Sequence, residues 1–472
     1  MVEQSTGRGA DGVVLAAAPM AAALGAESLR QGGNAFDAVV TAALAETVLL
    51  PPKCGLAGDL VALRLEPGKT RPDALLAIGG APRRLAKVAE RGELTTTGPL
   101  SVGVPGAPAG YDVLAAHGLL GRNRLAAPAI RLARGGFPWA QICTALAIES
   151  ADLVERHNPE GTVFFPDGTA IGPGEVVRLP RMADLIEEWV RRGGELFWGR
   201  IGDIVAASVI RRGGVIEIDD FRSIRAQWEP PATRTVGDRR LWATPAPSHG
   251  PSLLKALADT RPNDGPGATW DRVTQVISAR SESLADSSGT SMVSAADAAG
   301  NVVVVIHSNS FPRFGSGLVV DEFDLILNNR PGRGFSTHPG HPNFPAPGKR
   351  PATTLHAWAI SDTAGEPQFL GGTPGGENQM PWNAQTLGQI IGGENDPGVL
   401  VVAPRWEMLS DGGVVIEEGF DGIEELRSRA ANTKIVPPFG LRCAQQVVAR
   451  PQAGAAIVGA VDPRTGGAVV AV

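Results

Sequence analysis

Apolar residues recur with two different periods along the chain, and the change of period divides it. Val13 to Ala18 has strand character. Met20 to Gln31 follows with helical spacing and is closed by Gly32-Gly33-Asn34. Ala35 to Leu50 is apolar on nearly all sides, which predicts a buried helix, with Asp37 in the first turn where a carboxylate suits the helix dipole. Strands are predicted at Leu60 to Leu65 and Ala74 to Ile78, and a strand entering a tight turn at Ser101 to Gly106. Helical spacing then covers Ala109 to His117, Arg124 to Arg134, Ala140 to Arg156, Arg181 to Arg192 and Ile201 to Arg212. A strand at Val236 to Ala243 and a helix at Pro251 to Leu257 follow. Residues 259–289 are polar and weakly patterned, as suits an exposed segment. From Thr290 onward strands dominate: Val293 to Asp297, Val302 to His307, Leu318 to Val320, His356 to Ser361 and Gln368 to Gly371. Trp382 to Ile391 is a helix, and the tail adds strands at Val399 to Ala403, Val414 to Ile416, Ala455 to Asp462 and Ala468 to Val472. Helices early and strands late predict one compact unit with a sheet buried under helices.

The junction between the two regimes carries the candidate chemistry. Ser287-Ser288-Gly289 leads into Thr290, an alternating segment, the turn Ala299-Gly300-Asn301 and the apolar run Val302 to Ile306. That pattern predicts a β-hairpin with a threonine opening its first strand. A threonine hydroxyl is a weak nucleophile unless a base lies beside it. If the chain is cut before Thr290, the freed α-amino group is such a base. The plainer reading is a loop threonine capping a strand, and a Gly-Thr pair alone does not choose between them.

Composition narrows the class. With 43% hydrophobic and 19% charged residues in 472, the chain has ample material for a core. Its 60 glycines and 38 prolines, without any low-complexity tract, predict many tight turns and ordered loops. A net charge of −6 leaves no electrostatic footprint for nucleic acid. The three cysteines, Cys54, Cys143 and Cys443, are widely spaced and fit neither a disulfide framework nor a zinc site. The polar N-terminus and the lack of a long apolar run predict no signal peptide and no membrane span, hence a cytoplasmic protein. Of seven histidines, only His338 and His341 are close, in a Pro-Gly loop without an acidic partner, so no metal is expected. No cofactor motif is present either: Gly371-Gly372-Thr373-Pro374-Gly375-Gly376 lacks the lysine of a phosphate loop.

Five segments, in order, resemble the γ-glutamyltransferase family of N-terminal-nucleophile hydrolases. They are Gln31 to Ala38, Gly55 to Asp59, Ser101 to Gly106, Ala129 to Phe137, and Asp462-Pro463-Arg464 with Gly466-Gly467-Ala468. Ser294, Asp297 and Gly300-Asn301 place Thr290 where that family has its catalytic threonine. The resemblance implies an α+β, four-layer αββα sandwich that cuts itself between Gly289 and Thr290. It implies a helix-rich large segment, 1–289, and a strand-rich small segment, 290–472, forming one unit, possibly paired as a homodimer. It makes Thr290 nucleophile and base, carrying an acyl group to water or an amine acceptor. Ser308 stands where the family often has a second threonine that hydrogen-bonds the nucleophile. Asn309 or Ser310 takes the place of a substrate-binding asparagine. The N–H groups of Gly375 and Gly376 would form an oxyanion hole, and Thr353 and Thr354 replace a paired-serine segment.

The departures bear on the substrate. Where the family reads a glutamate α-carboxylate with an arginine, this chain has Ala77-Ile78-Gly79-Gly80-Ala81-Pro82. Where it reads the α-ammonium with an acidic residue, Asn328-Asn329 is followed by Arg330 and Arg333. Reversed charge disfavours glutathione and suits an anionic acyl small molecule without an α-amine, such as oxalyl, oxamate-like or dicarboxylic groups. Relatives of the family also include cephalosporin-type acylases and enzymes of natural-product pathways that cleave a carbon–carbon bond. Both arginines pointing to solvent is the competing reading, glutathione hydrolysis is the family default, and an uncut non-catalytic relative is a third. Ser291 and Met292 replace the threonine and histidine that follow the nucleophile in the family.

Overall fold

The computed structural model describes residues 2–279 and 289–472. Two seven-stranded sheets form its centre, and every strand pairing within them is antiparallel. One runs in the order Ala468–Ala471, Gly12–Ala16, Thr290–Asp297, Val302–Ser308, Asp59–Leu65, Asp73–Ala77 and Trp228–Glu229. The other runs Thr6–Gly9, Ile457–Val461, Gln446–Ala449, Pro367–Gly372, Ala357–Ser361, Arg239–Ala243 and Ala232–Val236. Both sheets draw strands from either side of the Gly289–Thr290 bond.

Three separate apolar cores define four layers. Side chains alternate across a strand, so Met292, Ala296, Val302, Val304 and Ile306 meet Trp242, Leu370 and Val448 of the opposite sheet. Val293, Ala295, Val303 and Val305 face the other way, into a core shared with the helices Pro19–Arg30 and Ala35–Leu49. The outer face of the second sheet is covered by Gly250–Ala256, Pro266–Ser278 and Gln379–Ile391. The result is the αββα sandwich, with two sheets where the periodicity alone predicted one.

The family-like segments have identifiable physical work. Asn34 caps the helix Ala35–Leu49 through a capping box with Asp37. The Asp37 carboxylate also accepts from the backbone N–H groups of Leu119 and Leu120, and Asp297 accepts from Ala35 N–H. Near the C-terminus, Arg464 binds Glu417 at 2.6 and 2.8 Å and Asp462 at 2.9 Å, with all three side chains buried. That cluster joins the last strands to the helix Pro397–Val402 through Arg464 bonds to the Val401 and Ala403 carbonyls.

Several expectations are corrected. Residues 259–279 are not an exposed featureless segment: Pro266–Ser278 is a helix burying Trp270, Val273 and Val276. The remainder of that segment, 280–288, lies outside the described residues. Val399 to Ala403 is not a strand but belongs to the helix Pro397–Val402, whose N-cap Asp396 accepts from Gly398 N–H. Ser101 to Gly106 follows a short 3-10 turn, Pro99–Ser101, and forms no strand. Ala140 to Arg156 breaks into Gln141–Ile148 and Ala151–His157. Among the described residues, no helix is long and apolar enough to cross a membrane.

Candidate active site

Thr290 opens its strand directly opposite Ser308, and Ser308 in turn lies opposite Asp59 on the next strand. The three residues share the parity of Met292, Ile306 and Val61, so their side chains face the space between the two sheets. All are buried, with Thr290 5%, Ser308 1% and Asp59 0% exposed.

Ser308 holds the centre of a hydrogen-bond relay. Its hydroxyl donates to the Gly289 carbonyl at 2.6 Å and accepts from Ser310 N–H at 2.8 Å. Thr290 Oγ1 lies 3.0 Å from the same oxygen. A serine hydroxyl has one proton, and it is spent on Gly289, so Thr290 is the donor in the third bond. The nucleophile candidate therefore points its proton at a group that itself polarises the adjoining carbonyl.

Arg330 is 6% exposed, so it does not point to solvent. Its Nε donates to Asp59 Oδ2 at 2.8 Å, while Asp59 Oδ1 accepts from Gly79 N–H at 3.2 Å. Burial pushes the Asp59 carboxyl up, with Arg330 acting in the opposite direction. Nη2 of Arg330 is buried without a hydrogen-bond partner. Asn328 and Asn329 serve the backbone, bonding Ala57, Gly103, Thr96 and Phe311 carbonyls. Arg333 sits apart, half-buried over the Phe311 ring at 5.0 Å. The Asn309 amide donates to the Pro51 carbonyl, and its oxygen, like the Ser310 hydroxyl, is buried and unbonded.

The glycine loop leaves the second sheet beside the hairpin. A Cβ on Gly372 would meet Ile306 and Met292, which places the start of the loop over the end of the hairpin that carries Thr290 and Ser308. Gly375 has φ +145° and is pressed against Trp382, where a Cβ would lie 2.2 Å from the indole. Gln379, one turn earlier on the same helix, grips the loop. With its amide oriented to suit its neighbours, it donates to the Thr354 and Thr373 carbonyls and accepts from Gly376 N–H at 3.2 Å. In that orientation Gly376 N–H is occupied. Thr353 is fully buried, with its oxygen accepting from Leu355 N–H and its own N–H bonded to the Pro247 carbonyl.

Behind the hairpin, His307 faces the helical layer. One ring nitrogen lies 2.7 Å from the Tyr111 hydroxyl and the other 2.9 Å from Glu46, whose second oxygen accepts from Ala17 and Ala18 N–H. Cys54 completes the group, and Glu46, Cys54 and His307 are the set of metal-capable side chains found among the described residues. Their polar atoms are already engaged with one another and with the backbone. Burial pushes the Cys54 thiol well up and holds Cys143 and Cys443 at about 12, so none is a thiolate near neutrality. Two sizeable surface cavities, about 790 Å³ beside Arg156 and Arg212 and about 690 Å³ beside Met20 and Trp139, are bordered by none of Thr290, Ser308 or Arg330. Asp59, Gln379, Trp382 and the His307 group escaped the sequence reading. Asp59 ends the Gly55 to Asp59 segment, but its partner lies 271 residues away.

The family described as Gamma-glutamyltranspeptidase matches residues 21–269 and 266–472. The chain is 23% identical to the "Glutathione hydrolase proenzyme" of Escherichia coli (strain K12), covering 97% of this chain and 91% of that one. It is 25% identical to the "Acylase ACY 1 proenzyme" of Pseudomonas sp. (strain V22), over 88% of this chain and 85% of the other. A 32% match to "Glutathione hydrolase 2" of Arabidopsis thaliana spans only 50% of this chain and 41% of that protein. Among solved structures, cephalosporin acylase from Bacillus halodurans superposes with a TM-score of 0.85 at 27% identity, over 99% of this chain and 97% of the other. The chain is an enzyme of the gamma-glutamyltranspeptidase family.

Proposed function

We propose that the chain cuts itself between Gly289 and Thr290 and then works as an N-terminal-threonine acyl-transfer enzyme on anionic acyl groups lacking an α-amine. The observation that carries the first half is the Thr290–Ser308–Gly289 relay. Thr290 Oγ attacks the Gly289 carbonyl carbon as its proton moves to Ser308, and Ser308 delivers its own proton toward the carbonyl oxygen. The C–N bond then breaks with the proton passing to the Thr290 nitrogen, leaving an ester on Thr290 Oγ. Water hydrolyses that ester, giving a Gly289 carboxylate and a free Thr290 amine and hydroxyl. In turnover the amine takes the hydroxyl proton, the acyl carbon bonds to Oγ, and the leaving amine departs protonated. Water or an amine then accepts the acyl group. The loop N–H groups of Gly375 and Gly376 stabilise the tetrahedral oxygen once Gln379 releases Gly376.

The second half rests on Arg330. Its unspent, buried Nη2 favours a carboxylate of the acyl group, and Asp59 holds the guanidinium in place. Both Asp59 oxygens are engaged, so a glutathione α-ammonium meets Arg330 rather than an open acid. The test is a panel of anilides carrying oxalyl, glutaryl and γ-glutamyl groups. One of the first two should exceed γ-glutamyl in kcat/KM by at least about tenfold. R330Q should lose about 2 kcal/mol of that substrate's transition-state binding, roughly 30-fold. A preference for γ-glutamyl that survives in R330Q would refute the assignment.

A further inference from the structure

The bond proposed for self-cleavage has a glycine on its acyl side, and the structure shows a reason. A Cβ added to Gly289 would lie 2.2 Å from the Ser310 carbonyl oxygen, a backbone atom with no flexible side chain to move aside. The Ser310 backbone occupies the left-handed region with φ +74°, which is uncommon for serine. The same residue donates its N–H to Ser308 Oγ at 2.8 Å, and Ser308 donates to the Gly289 carbonyl at 2.6 Å. One turn, Ser308 to Ser310, thus bears on the acyl residue twice: Ser308 hydrogen-bonds its carbonyl, and the Ser310 carbonyl oxygen fills the space that a Cβ would need.

We infer that Ser310 is a specificity-determining residue for maturation, admitting only glycine before Thr290 by placing its carbonyl where any other residue's Cβ would lie. This rests on the reading of Thr290 as the self-cleaving nucleophile. The step itself is the one already written, in which the Gly289 carbonyl carbon exchanges its bond to the Thr290 nitrogen for one to Thr290 Oγ. A larger residue must push the turn away, and the displaced turn takes Ser308 Oγ out of line with both the nucleophile and the carbonyl.

The experiment follows cleavage of the full chain by denaturing electrophoresis and intact mass for wild type, T290A, G289A and the double variant G289A/S310G, with thermal melting of each precursor. Glycine at 310 frees the turn to rotate its carbonyl away. G289A should cleave at least tenfold more slowly than wild type while melting cooperatively, and S310G should restore part of the lost rate. Cleavage of G289A at the wild-type rate would overturn the inference, as would a slow or unfolded G289A chain that S310G leaves unchanged. A wild-type chain that stays intact as T290A does would instead overturn the underlying reading of Thr290.

Discussion

Replacing Ser308 with alanine probes the relay at its centre. The variant removes three hydrogen bonds at once: from Thr290, from Ser310 N–H and to the Gly289 carbonyl. Two catalytic contributions are lost. Proton transfer through a positioned group is worth about 10²- to 10⁴-fold, and a donor to a developing oxyanion about 10²- to 10³-fold. Both reside in one atom and act as a unit, so they do not multiply. The expected slowing of self-cleavage is about 10²- to 10³-fold. Ser310 N–H is left buried without its partner, which costs the precursor about 1–3 kcal/mol of stability. S308T keeps a hydroxyl on the same strand position and should cleave within about tenfold of wild type. The assay is the time course of fragment appearance after purification, read by intact mass, with the melting temperature of each precursor measured alongside. S308A cleaving within about threefold of wild type, while folded, would show that the proton leaves Thr290 by another route.

Two further outcomes follow from buried charge. Arg464 pairs with Glu417 and Asp462 where all three side chains are buried, with Arg405 3.9 Å from Asp462 as the second cation, so R464A should destabilise the fold by about 3–5 kcal/mol, read as a lowered denaturant midpoint; an unchanged midpoint would refute that role. Burial pushes the Asp324 carboxyl up to about 6, with Arg181 partly offsetting. A raised acid favours the folded state when protonated. Its contribution is therefore complete below the ordinary carboxylate range and is lost as pH rises through about 6, by about 1 kcal/mol once solvent screening is allowed for. D324N should flatten that slope in melting temperature between about pH 4 and about pH 7, whereas parallel curves for the two proteins would refute it.

The legible parts of the chain are those where one local signal dominates. The hairpin from Thr290 to Ser308 announces itself by alternation around Ala299-Gly300-Asn301, and the helix Ala35–Leu49 by its cap and continuous apolar face. The helix Pro266–Ser278 was hidden because Pro266 and Gly267 open it and only three large apolar residues, Trp270, Val273 and Val276, mark its buried face. Val399 to Val402 is a short, wholly apolar run, whose period cannot distinguish strand from helix. Within the site, Thr290 and Ser308 could be read from hairpin position. The pairing of Arg330 with Asp59 could not, because it joins the start of a helix to a strand 271 residues earlier in the chain. Gln379 escaped for the same reason: its amide contacts Thr354, Thr373 and Gly376, and nothing in its own segment marks it.

The most direct measurement is N-terminal sequencing and intact mass of the purified full chain, beside T290A. The account predicts two fragments from the wild type, the smaller beginning Thr290-Ser291-Met292, and a single chain from T290A. A wild-type chain that remains whole, or that is cut elsewhere, while still turning over acyl substrates would contradict it.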